Sequence, residues 1–254
     1  MHRLLVESAS LDEDSPVLPA DAAKHLKVLR PKLGEEIELF DGKGKWRTYS
    51  FGGDRDVAAP LRATSQTSQT SQPSQTLTLF ACVTKGSRWD WTVEKATELG
   101  VTRVVPVISE RTIVRIPKAE RAAKRERWMR IAEDAARQSD AKWLPEIVEA
   151  MDFRDTLPLV KETTCFIGAL TNPPAKPLME AIEDFRRETG DLRAVSTFIG
   201  PEGDFTPEEL GALMEIATPT SFGPTILRAE TAAIYAVSVM RGASLNFKDP
   251  FPRR

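Results

Sequence analysis

The stretch that decides the fold of the second half of the chain is FIGPEGDFTPEE, residues 198–209. An apolar, strand-like run ends at Ile199, and a turn with two glycines around a proline follows it. Thr206 suits a helix N-cap, Pro207 suits the first helical position, and Glu209 completes a capping box. Ligands of open α/β sheets bind at the carboxyl ends of strands, where glycine permits close backbone approach. The stretch is therefore a candidate ligand loop, with a tight strand-to-helix turn that binds nothing as the alternative.

A second loop of the same kind is FGPTILRAETAA, residues 222–233. It precedes an apolar helical run and holds Arg228 and Glu230 two positions apart. A glutamate in the first turn of a helix is favoured by the helix dipole whatever its function. The loop thus indicates either a functional charged site or an arginine paired with a carboxylate beside a capping glutamate. The first loop is not followed by Gly-Lys-Ser or Gly-Lys-Thr, which excludes a P-loop there.

Strand-like and helical segments alternate from residue 76 onward. The predicted strands are LTLFACV, RVVPVIS, TCFIGAL, AVSTFIG and the short TSF. Between the first two, Ser87 and Asp90 are spaced as a capping box, and Gly100 is the expected end of the helix. This alternation is typical of an α/β domain with a parallel sheet.

The first part of the chain has a different pattern. The short segments RLLVE, GEEIELF and KWRTYSF predict strands, a DGKG turn joins the last two, and one helix is expected over residues 20–29. The repeat TSQTSQTSQPSQ has no apolar residue to anchor it and predicts a flexible linker. We therefore expect a small β-rich domain over residues 1–63, a linker over 64–75 and the α/β domain over 76–254.

The composition of the 254 residues, with 41% hydrophobic and 28% charged, is that of a soluble globular protein. We expect a cytoplasmic location, because the chain has neither a secretory signal nor an apolar run of membrane-spanning length. Cys82 and Cys165 lie within apolar runs, as free thiols do in a reducing compartment. His2 and His25 are too isolated to form a metal cluster, so no metal is expected.

The net charge of −2 hides a basic segment. Residues 103–142 contain 11 Lys or Arg against 6 Asp or Glu. This segment is either a solvated helix with many ion pairs or a face that binds phosphates.

Four sequence blocks occur in the order and spacing of a known family. They are KGSRWDWTVEKATELGVTRVVPVISERT, RWMRIAEDAARQS, FIGPEGDFTPEE and FGPTILRAETAAIYA. They resemble the signature blocks of the bacterial small-subunit ribosomal RNA uridine-N3 methyltransferases, called RsmE, of the SPOUT superfamily. HLKVLRPKLGEEIELFDGKG, residues 25–44, is similar to the PUA-like RNA-binding domain of that family. The resemblance covers nearly the whole chain apart from the linker.

The resemblance implies a PUA-like barrel followed by a SPOUT α/β domain with a parallel sheet and a deep trefoil knot. S-adenosylmethionine is the implied cofactor, and a homodimer is the implied assembly. Three loops are expected to bind the cofactor, through Leu170, Thr171, Asn172, Gly200, Pro201, Glu202, Gly203, Phe222, Gly223, Ile226, Leu227 and Arg228.

The implied substrate is one uridine, of the uridine 1498 type, in the decoding region of 16S rRNA, within the small ribosomal subunit. The expected catalytic residues are Arg228 as the cation, Glu230 as the first candidate proton acceptor and Glu202 as the second. The expected RNA contacts are His25, Arg30, Lys85, Arg88, Arg111 and Arg137. A SPOUT enzyme for another nucleotide and a non-catalytic RNA-binding assembly factor are the alternatives. The presence of both Arg228 and Glu230 argues against the second alternative.

Two positions depart from the family pattern. Asp204 lies where a second glycine of a Gly-Gly pair is expected, which affects the backbone of that turn. Asp140 and Ala141 stand in place of an expected Gly and Arg, which removes one basic contact for RNA.

Overall fold

The computed structural model describes residues 1–54, 60–169, 171, 173–190 and 192–244. The chain forms two compact units, one of Met1–Gln72 with Glu133–Leu144, and one of Pro73–Ala132 with Pro145–Arg254. The first unit thus differs from the predicted domain of residues 1–63: it continues through most of the Thr-Ser-Gln repeat and includes a later segment of the chain.

The first unit is built on a sheet whose described strands follow the order β1-β2-β3-β4, with β5 also paired to β3. The strands are β1 His2–Leu5, β2 Glu36–Phe40, β3 Lys45–Phe51, β4 Leu61–Ala63 and β5 Ser68–Gln69. A 3-10 helix spans Ser8–Asp12, and helix α1 spans Ala20–Leu29. The hairpin of β2 and β3 and the helix are confirmed at the predicted positions. Leu26 of α1 packs in one core with Ile37 and Tyr49 of the sheet.

The Thr-Ser-Gln repeat is tied to this sheet rather than free along its whole length. Strand β5 pairs with Lys45 and Trp46 of β3, and the Thr70 N–H donates to the Gly44 carbonyl over 2.7 Å. The Thr67 hydroxyl donates to the Leu11 carbonyl over 2.8 Å. The repeat contributes no apolar residue to the core, but its backbone forms hydrogen bonds with the start of β3. The composition of the repeat does not reveal this pairing.

The second unit contains a parallel sheet in the order β12-β10-β11-β6-β7-β8, with β9 also paired to β7. Its strands are β6 Thr76–Cys82, β7 Arg103–Ile108, β8 Glu146–Ile147, β9 Met151–Asp152, β10 Thr164–Gly168, β11 Ala194–Ile199 and β12 Thr218–Thr220. Its helices are α2 Ser87–Glu98, α4 Phe153–Val160, α5 Leu178–Thr189, α6 Pro207–Met214 and α7 Ala229–Ser244. Helix α3 spans Lys118–Ser139, and its residues 118–132 belong to the second unit, whereas residues 133–139 belong to the first. The predicted α/β class is confirmed. The last strand, expected at TSF, ends at Thr220 instead.

Both faces of the parallel sheet are buried, which explains the continuous apolar runs of its strands. Leu79 belongs to a core shared with α2, α5 and α7, whereas the neighbouring Phe80 belongs to a core with α4 and α6. Cys82 and Cys165 lie in the second core as free thiols. Burial raises the thiol pKa to about 11 for Cys82 and to about 12 for Cys165.

Of the two predicted capping boxes, one is present in the structure. The capping box of Thr206 and Glu209 is present as predicted. The one expected at Ser87 and Asp90 is not: the N-cap of α2 is Gly86, with a φ of 68° and no side-chain cap. The Asp90 carboxylate pairs instead with Arg127 of α3. None of the described helices is long and apolar enough to cross a membrane.

Candidate functional site

A cleft of about 620 Å³ opens at the carboxyl ends of β10, β11 and β12, beside the start of α7. This volume lies within the range of small-molecule sites. The residues that line it all belong to the second unit: Arg88, Gly168, Ala169, Phe198, Ile199, Gly200, Pro201, Glu202, Asp204, Thr220, Ser221, Phe222, Gly223, Thr225, Ile226, Leu227, Arg228, Ala229 and Ala232. Both candidate loops thus meet in one cleft, at the edge of the sheet where ligands of α/β proteins bind.

The first loop is a tight turn. The Asp204 N–H donates to the Pro201 carbonyl over 3.0 Å, and the Asp204 backbone is left-handed, with a φ of 58°. Aspartate tolerates this conformation better than most residues, and its carboxylate also accepts from the Phe205 N–H over 2.8 Å. The departure from the family pattern at Asp204 is therefore compatible with a closed turn.

A side chain at position 200 would press on the ring of Phe205. A Cβ there would lie 3.0 Å from Cε2 of Phe205, whose ring contacts the ring of Phe198 with a centroid distance of 5.6 Å. Because Gly200 has no side chain, its backbone atoms line the cleft directly.

The second loop is fixed by an aromatic contact. The ring of Phe222 lies against Gly168, where an added Cβ would be 2.6 Å from Cε2 of that ring. Phe222 also packs on Tyr235 of α7, with a centroid distance of 5.4 Å. Gly223 then adopts a φ of 114°, which favours glycine. Ile226, further along, is 86% exposed although it lines the cleft.

Four of the residues that line the cleft are charged: Arg88, Glu202, Asp204 and Arg228. Arg88 Nη2 lies 3.2 Å from Glu202 Oε1. The guanidinium of Arg228 makes no ion pair with any described residue, so it is available to a ligand.

Glu230, the first candidate proton acceptor from the sequence, lies in the first turn of α7 and is only 9% exposed. Its Oε2 has no hydrogen-bond partner among the described residues. Glu230 does not line the cleft, whereas Arg228 and Glu202 do.

Most of the predicted cofactor residues line the cleft, and the set stays a prediction. Gly203 and Thr171 are not among the residues that line it. Leu170 and Asn172 lie outside the described residues. Sequence reasoning missed Gly168 and Thr220, at the ends of β10 and β12, because the order of strands in the sheet was not predictable.

The predicted RNA contacts are divided between the two units. His25, Arg30 and Arg137 belong to the first, and Arg137 pairs with Asp134. Burial, followed by the charge of Arg137, holds the pKa of His25 below its ordinary value.

Of the predicted contacts in the second unit, Lys85 is exposed and Arg88 lines the cleft. Arg111 is not a free cation, because its guanidinium donates to the carbonyls of Gly203 and Phe205. Among the residues that the structure describes, no group of three His, Cys, Asp or Glu side chains is arranged to hold a metal ion.

Several arginines of the basic segment also have partners within the second unit. Arg121 pairs with Asp152 over 2.6 Å, and Arg125 donates to the Ile147 carbonyl over 2.8 Å. These contacts favour the interpretation of α3 as an ion-paired helix over that of a phosphate-binding face. The partners of Arg121 and Arg125 lie in other segments of the chain, not one turn away on the same helix.

Two curated proteins named ribosomal RNA small subunit methyltransferase E resemble the chain. The one from Bacillus subtilis (strain 168) is 30% identical over 157 residues, a match that spans 61% of each protein. The one from Synechocystis sp. (strain ATCC 27184 / PCC 6803 / Kazusa) is 28% identical over 240 residues, 93% of this chain and 76% of that protein.

The fold also matches a solved structure. A crystal structure of a ribosomal RNA small subunit methyltransferase E from Neisseria gonorrhoeae, bound to S-adenosyl methionine, has a TM-score of 0.74 and 29% sequence identity. The superposition covers 96% of this chain and 98% of that one.

Two family models match the chain. Residues 18–51 match the model described as an RNA methyltransferase PUA domain, which supports the predicted PUA-like fold of the first unit. Residues 70–241 match the model described as an RNA methyltransferase domain, and this match covers more than half of the chain. The chain therefore belongs to the family of RNA methyltransferase domains.

Proposed function

We propose that this chain transfers a methyl group from S-adenosylmethionine to N3 of one uridine in the decoding region of 16S rRNA. The observation that carries the proposal is the cleft in which both glycine-containing loops meet beside Arg228, whose guanidinium pairs with no carboxylate of the described residues. The names of the relatives, and the cofactor bound to the Neisseria protein, support the same reaction.

The residues that line the cleft suit this cofactor. Phe222 and Leu227 offer apolar surface for an adenine ring, and the bare backbone at Gly200 allows polar groups to approach. Asp204 offers a carboxylate to the positive charges of the amino and sulfonium groups. When bound, S-adenosylmethionine supplies an electrophilic methyl carbon.

The chain must supply the rest of the chemistry. Uracil N3 carries a proton, so this proton has to be removed while negative charge spreads onto the flanking carbonyl oxygens. Arg228 is the proposed donor to one of these oxygens, since it lines the cleft and its planar guanidinium pairs with no carboxylate in the part of the chain that the structure describes. Glu202 is the proposed proton acceptor. We prefer it to Glu230, which was the first candidate from the sequence, because Glu202 lines the cleft and Glu230 does not.

The finer features that the family resemblance implies belong to the same proposal. The cofactor loops form a deep trefoil knot, two copies of the chain form a homodimer, and the enzyme acts in the cytoplasm on the assembled small subunit. The target is the uridine of the 1498 type.

Reverse transcription of 16S rRNA tests the reaction, because a methyl group on N3 blocks the Watson–Crick edge of the base. We expect a halt in wild-type cells, read-through in a strain that lacks the gene, and a restored halt when the gene is returned. Return of the Arg228→Ala variant should leave read-through. A halt that persists in the deletion strain would contradict the assignment.

A further inference from the structure

We infer that Arg88 binds a backbone phosphate of the substrate RNA and that Glu202 competes with this phosphate for the guanidinium, so that the Arg88–Glu202 ion pair opens when RNA binds. The inference rests on the proposed function. Beyond methyl transfer, we thus assign a step of substrate binding in which Arg88 exchanges the Glu202 carboxylate for a phosphate of the RNA.

The geometry of the pair is the first argument. Arg88 lies in the first turn of α2 and Glu202 in the turn after β11, yet Nη2 and Oε1 are 3.2 Å apart and both residues line the cleft. The Arg88 side chain is 39% exposed and the Glu202 side chain 25% exposed. RNA that enters the cleft therefore meets both charges.

The charge balance of the cleft is the second argument. Its lining has two arginines and two carboxylates, so the formal charges cancel. A nucleotide whose base enters the cleft brings its own phosphates to the rim, and these require a cation. Glu202 is the carboxylate of this lining that pairs with Arg88, whereas Asp204 accepts from the adjacent Phe205 N–H.

The relative strength of the two contacts is the third argument. A partly exposed ion pair contributes little, because water screens both charges. Arginine and phosphate form charge-assisted hydrogen bonds in a matching planar geometry, which are among the strongest contacts of this kind. Exchange of the carboxylate for a phosphate is therefore favourable, and it leaves the Glu202 oxygens free to accept the uracil proton.

Binding measured without turnover tests the exchange. The probe is the small ribosomal subunit from a strain that lacks the gene, titrated in the presence of S-adenosylhomocysteine. Glu202→Gln should tighten binding by roughly 2- to 5-fold, the factor that corresponds to an exposed ion pair. Arg88→Ala should weaken binding by about 10-fold or more and lower the dependence of log K on log salt by about 0.7 to 1. In the Arg88→Ala background, Glu202→Gln should have no effect.

Two matched variants control for net charge. Glu208→Gln, exposed in the first turn of α6 and outside the cleft, should leave binding unchanged, as should Arg154→Ala, exposed on α4. Arg88→Lys keeps the positive charge and should keep part of the affinity for the small subunit. Weak binding by Arg88→Ala is then due to the lost charge and not to a lost fold.

The outcomes separate the two proposals. If Glu202→Gln fails to tighten binding, tightens it no more than Glu208→Gln, or acts equally with and without Arg88, the exchange is wrong while the methyltransferase assignment stands. A wild-type protein that does not bind the small subunit at all would contradict both.

Discussion

Arg111 Nη1 donates to the carbonyl oxygen of Gly203 over 3.1 Å and, in the same turn, to that of Phe205 over 3.2 Å. The segment after β7 holds the first loop at a second point, because the Glu110 N–H donates to Glu209 Oε1 over 2.9 Å. Arg111 was predicted to bind RNA; we propose instead that it fixes the shape of the first loop, because its guanidinium donates to two carbonyls of that loop.

Arg111→Ala should therefore weaken binding of S-adenosylmethionine by about 10-fold, the scale of hydrogen bonds to one charged group. Affinity for the small subunit should change little, because the guanidinium is already engaged. Calorimetric titration of the cofactor and a separate RNA-binding assay measure the two effects. A variant with normal cofactor affinity and weak RNA binding would restore the original role of Arg111.

Gly168→Ala should lower both stability and cofactor affinity. The added Cβ would lie 2.6 Å from Phe222 Cε2, so the ring must leave its place at the cleft. Overpacking of this kind typically costs ~1–3 kcal/mol. Thermal unfolding and cofactor titration are the measurements.

The matched control for Gly168 is Gly211→Ala in α6, where an added Cβ meets nothing within 4 Å. Alanine is favoured over glycine inside a helix by roughly 0.5–1 kcal/mol, so this variant should be slightly more stable than wild type. Equal behaviour of the two variants would show that the Phe222 contact does not matter.

Arg228→Ala should lower turnover by roughly 100-fold or more, the scale for loss of one charge-stabilising donor. Cofactor affinity should change little, and Arg228→Lys should also turn over poorly, because an ammonium lacks the planar fork. Isotope-transfer kinetics on small subunits from the deletion strain give the rate. Should cofactor affinity fall as far as turnover, Arg228 supports the loop and does not take part in the reaction.

His25 should make stability depend on pH. Burial lowers its pKa from 6.5, Arg137 and His2 lower it further by their charge, and Asp134 opposes them. The unfolded chain therefore binds a proton at this residue more readily than the folded chain does. The stabilising contribution is complete above pH 6.5 and is lost as the pH falls through the lower folded pKa.

Replacement of His25 by glutamine should flatten the fall in melting temperature between about pH 7 and pH 5. An NMR titration of the wild-type imidazole should give a folded pKa below 6.5. Parallel melting curves for the two proteins across this range would contradict the assignment. The same shift leaves His25 neutral at pH 7, so it adds no charge to an RNA-binding surface.

Local features of this protein were determined by the sequence alone. The capping box of Thr206 and Glu209 and the hairpin of β2 and β3 depend on residues that are close along the chain, and both are present. The parallel sheet followed from the alternation of strand-like and helical segments along the chain. The glycines and prolines between strand-like and helical runs located the two loops that meet in the cleft.

Contacts between distant segments were decided by the tertiary structure. Asp90 pairs with Arg127 instead of capping its own helix, and Thr67 is tied to Leu11 although its segment reads as a free linker. Arg88 reaches Glu202 only because β6 and β11 are neighbours in the sheet, in parallel register. A side chain takes the partner that the packed chain brings within hydrogen-bond distance, and strand order, which periodicity does not encode, determines which partner that is.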